Sequence, residues 1–162
     1  MILAEEKIRK LVAEQKLIEN FDEQSLTCAG YDLRVGKFYR ISGEPFLGIK
    51  ERKLPTVTEE KTDKIKIAPQ EYILIETIEK VHMPKDLMAR VLNRSTLFRF
   101  GCTLKTAVVD PGYYGILTIG LKNLSNQTFT LEKGARVGQI VFETIEGETT
   151  TYQGRYQGGK VV

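Results

Sequence analysis

Thr106-Ala-Val-Val-Asp110-Pro-Gly-Tyr-Tyr-Gly115 puts one carboxylate, Asp110, at the end of a short apolar run and reverses the chain immediately after it. Pro111 presets φ for the first central position of a tight turn, and Gly112 supplies the positive φ that a type II turn needs at the second. Tyr113-Tyr114 then enters a second strand. The stretch therefore predicts a hairpin in which Asp110 and Tyr113 flank one pocket from its two sides.

Outward from this hairpin the chain is punctuated like a β protein. Lys64-Ile-Lys-Ile67 alternates strictly, and Tyr72–Ile78, Leu87–Leu92, Ile116–Leu121, Thr128–Leu131 and Arg136–Glu143 read as strands separated by Pro, Gly and Asn turns. Asn93–Phe100 carries two arginines and two hydroxyls at a spacing that suits a short helical or turn segment presenting donors, Arg94, Ser95 and Arg99 among them. Only Ala4–Leu17 has helical periodicity, with Ile8, Leu11, Val12 and Ala13 between charges. Lys50–Lys64 is charged, lacks periodicity and reads as an excursion or mobile loop. One domain over 1–162 follows, mainly β, closed or sandwiched, with an N-terminal helix and no internal repeat.

Composition narrows the chemistry. The net charge of +3 comes from 24 basic and 21 acidic residues interspersed along the chain, which gives no stripe for nucleic acid. No apolar run has transmembrane length and the first residues lack the pattern of a signal peptide, so a cytoplasmic protein with no membrane partner is expected. Cys28 and Cys102 have no C-x-x-C spacing and are read as buried thiols. His82 is the one histidine, which leaves little for an imidazole metal site or a His-dependent triad. The tail from about 149 to 162 is glycine-rich, basic and aromatic, so it should be mobile until an anionic ligand orders it.

Four segments read as parts of one site. Cys28–Leu33 offers Asp32 at a strand start, and Arg94-Ser95 offers a guanidinium and a hydroxyl. Asp110–Gly115 offers a carboxylate and an aromatic, and Gly134–Gln139 offers Arg136 and an amide. In order and spacing Ala29-Gly-Tyr-Asp-Leu33, Arg94-Ser95, Val109-Asp110 to Gly115 and Gly134 to Gln139 resemble the motifs of the homotrimeric dUTPase and dCTP deaminase superfamily, over nearly the whole chain. The N-terminal helix, the Asp-Pro-Gly turn and Gly154-Arg-Tyr-Gln-Gly158 look more like the deaminase branch.

The resemblance implies a distorted β-barrel or jelly-roll-like dUTPase fold, a homotrimer with intersubunit sites, and a triphosphate substrate bound with Mg²⁺. It implies Asp110 as general base for water attacking the α-phosphorus and Asp32 near the metal through water. Arg94, Ser95, Arg99, Arg136 and Gln139 would bind substrate, and Tyr113 would pack under the deoxyribose and reject a 2′-hydroxyl. Arg155, Tyr156, Gln157 and Lys160 would close over the triphosphate as a lid. In the deaminases a glutamate on the strand after the third motif is the acid/base, and the matching position here is Gly120. The zinc signature of other deaminases is absent as well. The expected activity is therefore hydrolysis of dUTP to dUMP and pyrophosphate on a deaminase-like scaffold. The alternatives are a dCTP deaminase, a bifunctional deaminase and diphosphatase, or a silent nucleotide-binding regulator. Base reading is expected from main-chain groups of Leu104 to Ala107, with Tyr156 a candidate cap for the base.

Overall fold

The computed structural model describes residues 1–162. Along the chain, α1 (Glu5–Gln15) precedes β1 (Ile18–Glu19), β2 (Leu26–Thr27) and β3 (Gly30–Ser42). Next come β4 (Phe46–Leu47), β5 (Arg52–Lys53), β6 (Thr56–Glu60), β7 (Lys64–Ile67), β8 (Tyr72–His82) and β9 (Leu87–Asn93). Then α2 (Ser95–Arg99), β10 (Cys102–Lys105), β11 (Val108–Val109), β12 (Tyr114–Asn123), β13 (Phe129–Glu132) and β14 (Arg136–Thr144) complete it.

The main sheet runs β10-β12-β8-β3-β14-β9-β11, and β3 is its corner. Its first residues pair with β14 (Asp32 opposite Gln139), whereas its later ones pair with β8 (Phe38 opposite Ile75) and β6. A bulge between Val35 and Lys37 lets the strand change partners. The sheet curls on itself, and alternate side chains meet inside: Leu33, Val35 and Phe38 from β3, Ile73 and Ile75 from β8, Ile119 and Leu121 from β12, Ile140 and Phe142 from β14. This is the expected distorted, mainly β architecture. Truncating a fully buried ring such as Phe142 to alanine removes about 3–5 kcal/mol of stability.

α1 lies on this core through Ile8 and Leu11. It stops at Lys16, which takes φ 54° and closes its N–H onto the carbonyls of Leu11 and Val12. Upstream, Leu3 N–H bonds Phe142 O at 3.0 Å and ties the N-terminus to β14. One buried carboxylate braces the corner, since Glu79 accepts from the Tyr31 hydroxyl (3.1 Å), Arg34 Nε (2.7 Å) and the Arg34 main-chain N–H (3.0 Å). With three donors, one of them a guanidinium, the charge is satisfied inside the protein.

Three sequence expectations change. Lys50–Lys64 is no loop: β4 and β5 form a hairpin and β6 pairs with β3, its polar residues suiting an exposed edge strand. Cys28 is exposed; only Cys102 is buried. The tail is folded against the Asp-Pro-Gly turn, as described below. No helix is long and apolar enough to cross a membrane.

Candidate active site

The Asp-Pro-Gly turn forms as its residues dictate: Gly112 has φ 77° and Tyr113 N–H bonds Asp110 O at 3.1 Å. What makes a cleft is the divergence of the strands before it. β10 pairs with β12 as far as Lys105 opposite Gly120, and the chain then crosses to β9, where Val109 stands opposite Ala89. Beyond Gly120 the free edge of β12 faces an opening of about 120 Å³, lined by Val91, residues 106–110, Tyr113, residues 117–119 and Tyr152. Leu117 N–H is bonded toward β8, to Thr77 Oγ1 at 3.1 Å. Alternation along a strand therefore turns the main-chain groups of Thr118 toward the opening.

Asp110 and Tyr113 both line this cleft, as the hairpin predicts. The Tyr113 hydroxyl donates to Ile116 O at 2.7 Å, and burial, with Tyr152 nearby, pushes its pKa up to about 12. It remains a neutral phenol that packs by its ring. Leu104 is not available for base reading, because its N–H is held by Asn93 Oδ1 at 2.7 Å. Of residues 104–107, Thr106 and Ala107 line the opening, together with Thr118 of β12.

A second cluster gathers Asp32, Arg94, Arg136 and Gln139. Arg94 Nε lies 2.9 Å from Asp32 Oδ2, Arg136 Nη1 lies 3.8 Å from the same oxygen, and Arg94 Nη1 donates to Arg136 O at 3.1 Å. Gln139, beside Asp32 in the sheet, donates to Thr27 Oγ1 at 2.7 Å. Desolvation raises the pKa of Asp32 against the opposing pull of Arg94 and Arg136. The two guanidiniums, partly exposed, converge on one buried carboxylate.

The fit to magnesium fails at Asp32. A cation there would meet two fixed positive charges, and no group of three or more His, Cys, Asp or Glu side chains could hold a metal. Ser95 is exposed at the start of α2, next to this cluster. Arg99 is not brought to it: the guanidinium bonds Ser95 O at 3.0 Å, lies 5.0 Å over the Phe98 ring and faces a groove with Phe100, Ser125 and Gln127.

Within one chain the two clusters do not meet. Arg94 follows β9 five residues after Ala89, the partner of Val109, so it lies roughly 16 Å along the strand from the Asp110 turn. None of Arg94, Ser95, Arg136 or Gln139 lines the cleft.

The tail covers the cleft from its own chain. Tyr152 N–H bonds Pro111 O at 2.7 Å and its ring meets Tyr113 edge-on at 5.6 Å. Gln157 spans the turn, accepting from Tyr114 N–H and donating to Gly112 O, both at 3.0 Å. Gly158 N–H bonds Tyr114 O at 2.8 Å. Gly115 permits this seat, because a β-carbon there would lie 2.5 Å from Gly159 N. Tyr156 is therefore not the cap. Its ring lines a groove with Pro45–Leu47 and Arg52–Pro55, and Tyr152, unmarked in the sequence, takes the place over the cleft. Arg155 and Lys160 are exposed.

A family model described as dCTP deaminase-like matches residues 2–145. The chain belongs to the dCTP deaminase-like family. A dCTP deaminase from Pyrococcus horikoshii is 43% identical over 159 residues, covering 98% of this chain and 92% of that protein. Among solved structures, a dCTP deaminase from Agrobacterium tumefaciens has a TM-score of 0.71 at 18% identity, covering 87% of this chain and 47% of the other. A dUTPase from Streptococcus mutans has a TM-score of 0.53 at 26% identity, covering 78% and 93%.

These relatives correct the expected activity. Curated proteins 33–43% identical over the whole chain are dCTP deaminases, against an expectation of dUTP hydrolysis that rested on Asp110 together with Gly120. The physical reason is that Gly120 is not a vacancy. A β-carbon built on it would overlap the Tyr72 hydroxyl and lie 2.6 Å from Tyr72 Cζ, so a neighbouring strand already supplies a polar group there.

Proposed function

We propose that this member of the dCTP deaminase-like family binds a pyrimidine deoxyribonucleoside triphosphate and deaminates dCTP to dUTP. The observation that carries the reading is the opening beside β12, where a flat ring can replace β10 as hydrogen-bonding partner of Thr118. Tyr113 packs under the sugar with Asp110 at the same end, and Arg94, Arg136 and Gln139 bind phosphate oxygens. Magnesium, which a phage phi11 dUTPase is described as holding as a structural Mg(II) ion, would enter on the triphosphate itself.

The site is assembled between subunits of a homotrimer. Two observations support this: cleft and arginine cluster lie at opposite ends of β9, and Leu92, Phe98, Phe100, Val108 and Leu124 are each more than half exposed. Apolar area of that extent is covered by a neighbouring copy.

Ammonia released from dCTP by the purified protein tests the reading, and its absence at saturating dCTP would overturn it. Asp110 in the cleft favours a second, bifunctional reading, in which the same preparation also yields pyrophosphate from dCTP.

A further inference from the structure

The β4–β5 hairpin has no partner in the main sheet. Its strands pair only with each other, Phe46 opposite Lys53 and Leu47 opposite Arg52, and Gly48 N–H closes the turn onto Glu51 O at 2.9 Å. Two strands alone are marginal in water. This pair nevertheless leaves Phe46 54% and Leu47 85% exposed, apolar surface that the core does not use.

The tail stands across from it. Pro45, Phe46, Leu54, Pro55 and Tyr156 line a groove of about 360 Å³, within the range of roughly 300–1,000 Å³ usual for small-molecule sites. Arg52 and Lys53 line it too, and no acidic residue does. Neither cation enters an ion pair within the chain. Residues directly opposite in an antiparallel pair project to one face, so the Phe46 ring and the Lys53 ammonium share a face of the hairpin. Rings beside unpaired cations match a flat base that carries phosphates, the base stacking and the phosphates taking charge-assisted bonds. A purely apolar ligand would leave the cations unused, and a bare anion would leave the rings unused.

No residue lines both this groove and the cleft. The tail joins them. Tyr156 N–H donates to the Tyr152 hydroxyl at 3.2 Å, and Tyr152 lines the cleft. Gln157, the next residue, is bonded to the Asp-Pro-Gly turn. A ligand gripped between the hairpin and Tyr156 therefore holds the tail on a second support.

We propose that the groove between the β4–β5 hairpin and Tyr156 is a second nucleotide site, which takes a nucleoside triphosphate by its base and its phosphates and, when filled, holds the tail down over the cleft. Arg52 and Lys53 bind the phosphates, and Phe46 and Tyr156 bind the base.

Stacking tolerates any base, so ATP serves as the probe. Calorimetric titration of the full-length protein should show ATP binding that the double variant Arg52→Glu with Lys53→Glu weakens by about tenfold or more. Phe46→Ala and Tyr156→Ala should each weaken it by about fivefold or more, the scale of one stacking contact. Asp110→Ala and Arg94→Ala, which alter the cleft and the arginine cluster, should leave it unchanged. Because neither hairpin strand pairs with the main sheet, the hairpin variants should keep the wild-type urea midpoint. Saturating ATP should also slow amide exchange at Gly158 by about threefold or more in the wild type and not in the charge-reversed variant. Absence of ATP binding, full affinity in the charge-reversed variant, or loss of binding in Arg94→Ala would overturn the proposal. Tripolyphosphate binding as tightly as ATP would overturn it as well, since the rings would then contribute nothing. Binding without slower exchange at Gly158 would refute the hold on the tail. None of these measurements uses turnover, so their failure leaves the deamination reading standing.

Discussion

Asp32 sits between two guanidiniums with its side chain 7% exposed, and its protonation is tied to folding. Its pKa is raised by desolvation, so the folded chain binds this proton more tightly than the unfolded chain does. Stability contributed by this group is therefore greatest below the ordinary aspartate value of 3.8 and falls as pH rises through the window just above it. In Asp32→Asn that part of the slope should vanish, which paired wild-type and variant denaturant titrations across the window would reveal. At Arg94 the prediction is catalytic. Lysine keeps the charge but loses the fork that reaches Asp32 and the Arg136 carbonyl together, so Arg94→Lys should lower kcat/KM about 10- to 100-fold. A smaller change in steady-state kinetics would remove Arg94 from the phosphate site.

At the scale of elements, the tail offers a separable test. Gln157→Ala removes two hydrogen bonds to the Asp-Pro-Gly turn and should free residues 149–162 while the domain stays folded. Amide exchange at Gly158, whose N–H is held by Tyr114 O, should speed up by about tenfold or more, with core amides unchanged. The elements also show what the sequence could and could not disclose. Lys64–Ile67 was legible to the residue, because one face of β7 is buried and period-2 alternation survives. The turn at Pro111-Gly112 was legible because its backbone chemistry is local. Of the four motifs only Val109-Asp110 to Gly115 marked the cleft, since it arises where β10 parts from β12, a matter of pairing and not of composition. Tyr152 and Tyr72 were illegible for the same reason: one is placed by the tail's seat on Gly115, the other by a bare Cα on the next strand.

For the whole molecule, the roughly 16 Å between the Asp110 turn and Arg94 predicts complementation between dead variants. Asp110→Ala and Arg94→Ala should each be inactive, and mixed trimers reassembled from both should regain about a quarter of the wild-type sites by random assortment. No recovery after verified subunit exchange would place the whole site within one chain.

The corner strand β3 also governs how the chain comes apart. Its early residues belong to the ladder with β14 and its later ones to the ladders with β8 and β6, so neither wall of the curled sheet has a backbone of its own. There is no seam along which half the molecule could open while the other half persists. Heating or denaturant should therefore give one cooperative transition for each chain, with coincident loss of far-ultraviolet and tyrosine signals. Its folding nucleus must bring together segments as distant as residues 30 and 140, which makes this a slow-folding topology in spite of its modest length.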